Sequence, residues 1–171
     1  MNTVETLKYI QHYPANLQQQ ALALLQQDKL GDMLLKRYPE LHNLSSDRAL
    51  YDFTMELKNR FMKKSQPLAK AVYDDKVNAL QHALGTHTRI SRVQGNRLKG
   101  KREIRIDSCF RRMPLPFLKM IVVHELAHFK ESDHNKAFYK LCQYMEPDYH
   151  QLEFDLRLYL TQLEFAGPVY K

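Results

Sequence analysis

Residues 124–134 read His-Glu-Leu-Ala-His-Phe-Lys-Glu-Ser-Asp-His. On a helix, residues four apart lie on the same face, so His124 and His128 can reach one metal ion. Glu125 lies between them in the sequence and can take a proton from a water molecule bound to that ion. His134 offers a third imidazole nitrogen. Three protein ligands and one open position are typical of a catalytic zinc site, so we predict one Zn²⁺ per chain.

The third histidine can reach the metal only if the helix ends early. On a straight continuation of the helix, His134 would lie about 9 Å farther along the axis than His128. We therefore expect the helix to end near residues 130–132. Ser132 and Asp133 are good N-cap residues for a following helix, and such a break could bring His134 back to the metal.

Two glutamates affect the choice of the third ligand, one through the turn before His134 and the other as an alternative ligand. The offsets of the three histidines equal those of the metzincin pattern H-E-x-x-H-x-x-G-x-x-H, in which glycine makes a tight turn. Glu131 occupies the glycine position here, so we expect the chain to turn in a different way. Glu153, on the last predicted helix, is an alternative third ligand because zinc also accepts carboxylate oxygens.

A longer pattern surrounds the motif. Residues 121–130 read Ile-Val-Val-His-Glu-Leu-Ala-His-Phe-Lys, and residues 133–139 read Asp-His-Asn-Lys-Ala-Phe-Tyr. Over residues 122–139 the chain matches V-V-H-E-L-x-H-x5-H-x-x-x-F-[WY] and resembles the YgjP-like metal-dependent hydrolases, a family often described as zinc metallopeptidases. The resemblance implies a zincin-like fold, with His124, His128 and His134 as ligands and Glu125 as the general base. One departure is at residues 92–95, where Arg-Val-Gln-Gly replaces the W-G-S-C segment of most of the wider family.

Length and composition agree with one compact, soluble domain. The chain has 171 residues, of which 44% are hydrophobic and 26% are charged, and these are ordinary globular values. Cys109 and Cys142 are isolated, which favours a reducing compartment. We see no secretory signal and no apolar stretch long enough for a membrane span, so we expect a cytoplasmic protein.

The hydrophobic periodicity predicts an α+β fold that is predominantly helical. Helical spacing is found over residues 15–37, with an interruption around Gly31, and over residues 47–64, 134–146 and 148–164. Residues 87–110 alternate instead, with Ile104 and Ile106 near the end, and predict a hairpin or small antiparallel sheet beside the motif helix. We expect an N-terminal helical part over residues 1–66 and a zincin-like hydrolase part over residues 67–171. The family resemblance further implies that the strand at 103–107 could bind an extended peptide, although it could equally be only structural.

Positive charge is concentrated in one segment. Residues 89–112 hold nine Lys or Arg and two Asp or Glu, a net charge of +7, which equals the net charge of the whole chain. This segment could bind a nucleotide polyphosphate, an acidic peptide or a nucleic-acid backbone, or it could be only a solvated surface. The candidate substrate contacts are Arg92, Arg97, Lys99 and Arg105.

Two enzyme classes remain open at this level. The first, which the motif favours, is a zinc metallopeptidase in which Glu125 activates the metal-bound water. Tyr139, Tyr149, His150 and the arginine-rich segment are then candidate donors to the oxyanion. The alternative is a metal-dependent phosphohydrolase, such as a pyrophosphatase for a nucleoside triphosphate of the UTP type, that uses the basic segment at residues 89–112. A nucleic-acid-binding protein with a structural metal is possible but not favoured, because a structural site has no use for Glu125.

Overall fold

The computed structural model describes residues 2–76 and 102–171. Within these ranges the helices are α1 (Thr3–Thr6), α2 (Ala15–Gln26), α3 (Leu30–Arg37), α4 (Asp47–Phe61), a 3₁₀ helix (Ser108–Arg112), α5 (Leu115–Ala127), α6 (Lys136–Met145) and α7 (Tyr149–Phe165). The strands are β1 (Leu68–Asp74) and β2 (Arg102–Asp107). The fold is therefore mostly helical with a small sheet, as predicted. Among these helices, none combines the length and the apolar character that crossing a bilayer requires.

Helix α5 forms the centre of the hydrophobic core. It follows Pro114, and from Phe117 to Ala127 every side chain except the half-buried Lys119 is buried. A helix that is apolar around its whole circumference is stable only when other elements enclose it. Helices α6 and α7 and strand β2 all pack against α5. The motif residues on α5 are thereby held on a rigid element.

The sheet is parallel, and the predicted antiparallel pairing is wrong. Strand β2 pairs with β1, with Ala71 opposite Ile104 and Tyr73 opposite Ile106. The alternation of Ile104 and Ile106 correctly indicated a strand, and both residues are buried. Alternation describes the two faces of a strand but does not identify its partner. The partner precedes β2 by a connection long enough for the crossover that a parallel pair needs. The rest of the predicted hairpin lies outside the described residues.

The break in the first long helical segment falls earlier than Gly31. It separates α2 from α3 near Asp28, whose φ of 57° is left-handed. Gly31 instead lies inside α3, where an added Cβ atom would be 3.2 Å from the Nε2 atom of Gln162 on α7. A side chain at Gly31 would therefore press on the end of the Gln162 side chain, which would have to shift by a few tenths of an ångström.

A buried carboxylate also ties α3 to α7. Asp155 on α7 is fully buried and accepts hydrogen bonds from Arg37 Nη1 at 3.0 Å, from the Tyr38 hydroxyl and from Gln151 Nε2 at 3.0 Å. A buried carboxylate needs such partners, because an unpaired charge in the interior is costly. These bonds connect the end of α3 to α7, which in turn packs against the motif helix α5.

Candidate metal centre

Three imidazole rings converge at the end of α5. The Nε2 atom of His128 lies 3.2 Å from that of His124 and 3.1 Å from that of His134, and the third side of the triangle measures 3.3 Å. Tetrahedral ligands that each lie about 2.0–2.1 Å from a zinc ion are about 3.3 Å from one another. Within the described ranges, these side chains form the one group of His, Cys, Asp or Glu residues suited to hold a metal ion. The donor set and its spacing fit the predicted ion.

The chain leaves the axis of α5 directly after the second histidine. Helix α5 ends at Ala127, and His128 follows with φ −65° and ψ −14°. The Glu131 amide then donates to the Ala127 carbonyl at 2.9 Å and closes the turn. Among the non-glycine residues that are described, Asp28 alone has positive φ. Glu131 thus makes the turn in an ordinary conformation, which explains why no glycine is needed at this position.

Helix α6 begins immediately after the third histidine. The side chain of Asn135 accepts a hydrogen bond from the Phe138 amide at 2.9 Å and caps the helix. The predicted caps, Ser132 and Asp133, lie earlier in the turn instead. Because His134 precedes the cap, the start of α6 fixes the direction of its side chain. The predicted interruption of the helix is present, and its boundaries differ by a few residues.

The outer ring nitrogens of two histidines are also bonded. The Nδ1 atom of His124 lies 2.8 Å from the hydroxyl of Tyr149, and that of His128 lies 3.0 Å from the carbonyl oxygen of Glu131. A carbonyl can only accept, so His128 carries its proton on Nδ1 and presents a lone pair on Nε2. Partners of this kind commonly orient the histidines that bind metals.

Two of the three histidines, His124 and His128, are held in the neutral form. Burial lowers the pKa of His124 well below its usual value, and the neighbouring imidazoles and Arg157 lower it further. Burial also lowers the pKa of His128, although its bond to the Glu131 carbonyl partly opposes this shift. Neutral imidazoles keep the lone pairs that metal binding requires.

Glu125 follows His124 and is 5% exposed. Burial raises the pKa of its carboxyl group to about 8. A general base is most effective when its pKa lies near the working pH, because a useful fraction of the group is then deprotonated and that fraction still binds a proton strongly. Its place directly after the first histidine is the one that the H-E-x-x-H motif gives to a general base, and the raised pKa makes it a stronger base than an exposed glutamate.

Arg102 is a basic residue at the site that is not among the four predicted substrate contacts. Its Nη1 atom donates to the carbonyl oxygen of His128 at 2.6 Å, and its guanidinium group lies 5.4 Å from the centre of the Phe129 ring. Burial lowers the pKa of Arg102, but an arginine remains charged at neutral pH. The sequence offered only its membership of the basic segment, in which nothing distinguished it from its neighbours.

The predicted substrate contacts have different positions. Arg92, Arg97 and Lys99 lie outside the described residues. The fourth, Arg105, donates to Asp74 at 2.9 Å and to Glu103 at 3.1 Å. Two acidic partners balance its charge, and its contact with a substrate stays a prediction.

The alternative third ligand and the candidate oxyanion donors differ in their positions relative to the histidine cluster. Glu153, the alternative third ligand, is ion-paired with Arg157 at 3.0 Å and is not part of the histidine cluster. Tyr149 is fully buried with its hydroxyl directed at His124, so it is not placed to donate to a substrate oxyanion. The centre of the Tyr139 ring is 6.4 Å from the centre of the His134 ring. The ring of His150, an exposed residue, has its centre 5.4 Å from that of Tyr139. Tyr139 and His150 stay predicted oxyanion donors.

Comparison with known proteins gives the family. Residues 53–159 match the model of the YgjP-like metallopeptidase domain. A protein of Escherichia coli strain K12 named UTP pyrophosphatase is 55% identical over 163 residues, which cover 95% of this chain and 98% of that relative. No solved structure matches. The matched segment includes the three histidines, Glu125 and Arg102, and the chain belongs to the YgjP-like family of metal-dependent hydrolases.

Proposed function

We propose that this chain is a zinc-dependent pyrophosphatase that hydrolyses nucleoside triphosphates, with UTP as its preferred substrate. The observation that carries the proposal is the relative named UTP pyrophosphatase, which is 55% identical over nearly the whole of both chains. This favours the phosphohydrolase alternative over the metallopeptidase that the motif alone favoured. The peptidase interpretation keeps the support of the description of the family model.

The donor set favours a transition metal such as zinc over magnesium. Three imidazole nitrogens suit zinc and other transition metals, whereas Mg²⁺ prefers oxygen ligands. His124, His128 and His134 would hold the ion, and the triangle of their Nε2 atoms matches the spacing that zinc requires. When bound, the ion would supply a Lewis acid that polarises a phosphoryl oxygen and makes water more acidic.

We also propose the zincin-like arrangement that the family resemblance implies, in which a strand lies beside the helix that carries the motif. Strand β2 packs against α5, and Arg102 at the start of β2 bonds to the His128 carbonyl. Both contacts support this arrangement.

Glu125 and Arg102 have distinct parts in the proposed reaction. The oxygen of water bonds to the α-phosphorus, and the bond from that phosphorus to its bridging oxygen breaks, which releases UMP and pyrophosphate. Glu125 accepts a proton from the attacking water and returns it to the products. The Arg102 guanidinium group binds phosphate oxygens, whose negative charge spreads as the bond breaks.

A paired assay tests the proposal. The full chain is loaded with zinc and incubated with the four common nucleoside triphosphates and, separately, with a peptide library. We expect UMP and pyrophosphate in equal amounts from UTP, loss of this activity in His128→Ala, and intact peptides. Peptide cleavage without release of pyrophosphate or phosphate would eliminate the pyrophosphatase and restore the peptidase.

A further inference from the structure

The contact between Tyr149 and His124 has a chemical consequence for the metal centre. Tyr149 is the first residue of α7, is fully buried and lies beside the His124 ring at an interplanar angle of 19°. Its hydroxyl oxygen is 2.8 Å from Nδ1 of His124. At this distance and with this burial, the two groups form a hydrogen bond that water does not replace.

The direction of this hydrogen bond depends on the state of His124. To bind an ion, its Nε2 atom must present a lone pair, so Nδ1 carries the proton and the Tyr149 oxygen accepts. If Nε2 carries the proton instead, Nδ1 presents the lone pair and the tyrosine hydroxyl donates. A hydroxyl can make both bonds, whereas a carboxylate or a carbonyl can make only the first.

The second histidine is held in a different way. The partner of His128 Nδ1 is the Glu131 carbonyl at 3.0 Å, which accepts in every state. The backbone thus fixes the tautomer of His128 in advance. For His124 the tautomer is instead fixed by the side chain of Tyr149, which a single substitution can change.

We propose that Tyr149 is a positioning residue for the metal centre, because its hydroxyl holds the His124 ring in place and its oxygen accepts the hydrogen bond from Nδ1–H when Nε2 binds the ion. The inference rests on the metal site of the proposed function, but not on the identity of the substrate. Without the hydroxyl, a buried N–H group would lose its partner whenever metal binds. Loss of such an outer partner typically weakens metal binding about 10- to 100-fold.

The test is the zinc affinity of Tyr149→Phe in the full chain, measured by competition with a chromophoric chelator. The phenylalanine keeps the ring and removes only the hydroxyl. We expect the dissociation constant for zinc to rise about 10- to 100-fold. The matched control is Tyr159→Phe, which removes a hydroxyl from the same helix at a residue that is 3% exposed and packs on Phe117. We expect its zinc affinity to equal that of the unmodified chain.

A second measurement does not depend on the variant folding. In the unmodified chain, two-bond ¹H–¹⁵N spectra of the zinc-loaded protein report which nitrogen of His124 carries the proton. We expect a proton on Nδ1 that exchanges slowly with solvent. Metal coordination through Nδ1, or an unchanged zinc affinity in Tyr149→Phe, would overturn the role of Tyr149 alone. Absence of zinc binding to the unmodified chain would overturn the metal centre itself, and absence of UTP hydrolysis with normal zinc binding would overturn only the substrate.

Discussion

Glu125 is the residue whose chemistry the proposed reaction needs most. It combines a buried carboxylate, a pKa raised to about 8 and a position next to the first histidine of the cluster. Glutamine has the same shape but cannot accept a proton. We therefore expect Glu125→Gln to retain one zinc per chain and to lose activity on UTP by about 10²- to 10⁴-fold, the usual contribution of a general base.

The measurement is the turnover number together with metal content by mass spectrometry. Glu56→Gln, which makes the same change at an exposed position on α4, serves as the control and should behave like the unmodified chain. Turnover unchanged in Glu125→Gln would remove this residue from the reaction.

Arg102, which donates to the carbonyl oxygen of His128, is our proposed phosphate contact. We expect Arg102→Gln to lower kcat/KM for UTP by about 10- to 100-fold, the equivalent of one charge-assisted hydrogen bond. Part of the loss should appear as a raised KM, because the ground-state phosphates are charged as well. Steady-state kinetics test this, with Arg48→Gln, whose side chain is 83% exposed, as the control. Equal kinetics for the two variants would contradict a role for Arg102.

Sequence reasoning at the residue scale succeeded where spacing alone determines position. Two histidines four apart on one helix must share a face, so their proximity followed from helix geometry. The approach of His134 depended on a break whose exact shape is set by the Glu131 amide and the Asn135 cap. The hydrogen-bond partner of His124 could not be predicted from the sequence, because Tyr149 is 25 residues away and only the packing of the helices brings the two side chains together.

At the scale of elements, the start of α6 controls the third histidine. The Asn135 cap holds the first turn of α6, and His134 directly precedes it. We expect Asn135→Ala to lower the free energy of unfolding by about 0.5–2 kcal/mol, the usual cost of a lost cap. Zinc should also bind more weakly, because the direction of His134 would no longer be fixed.

Thermal melting with and without zinc separates these two effects. Asn135→Asp, which can accept the same hydrogen bond, should restore both properties. An Asn135→Ala protein with normal zinc affinity would show that the turn alone positions His134.

For the two strands, the sequence predicted the existence of β2 but not its pairing partner. The alternation that ends with Ile104 and Ile106 identified β2, because one face of the strand is buried. It could not distinguish a neighbour in a hairpin from the distant β1, since both would bury the same face. The helical segments predicted over residues 15–37, 47–64, 134–146 and 148–164 were easier to recognise, because a periodic apolar pattern can be read without knowing the partner of the helix.

At the scale of the whole molecule, the carboxylate of Asp155 links the N-terminal helices to α7. It is fully buried and bonds to Arg37, Tyr38 and Gln151. We expect Asp155→Ala to lower the free energy of unfolding by about 1–3 kcal/mol, because hydrogen bonds to a buried group would be lost, whereas Arg37 is 47% exposed and would be solvated by water. Urea denaturation measures this, with Asp52→Ala as the control, since that aspartate is 59% exposed and pairs with Arg48 at the surface. A similar small effect for both variants would contradict the structural role of Asp155.

Above all, we propose that His124, His128 and His134 bind one metal ion in the folded chain. It is tested most directly by anomalous X-ray diffraction at the zinc absorption edge, from crystals of the zinc-loaded protein. We predict one strong peak per chain within about 2.0–2.1 Å of the Nε2 atom of each of the three histidines. A peak held by other side chains, or no peak at this cluster, would show that these three histidines do not form the metal site.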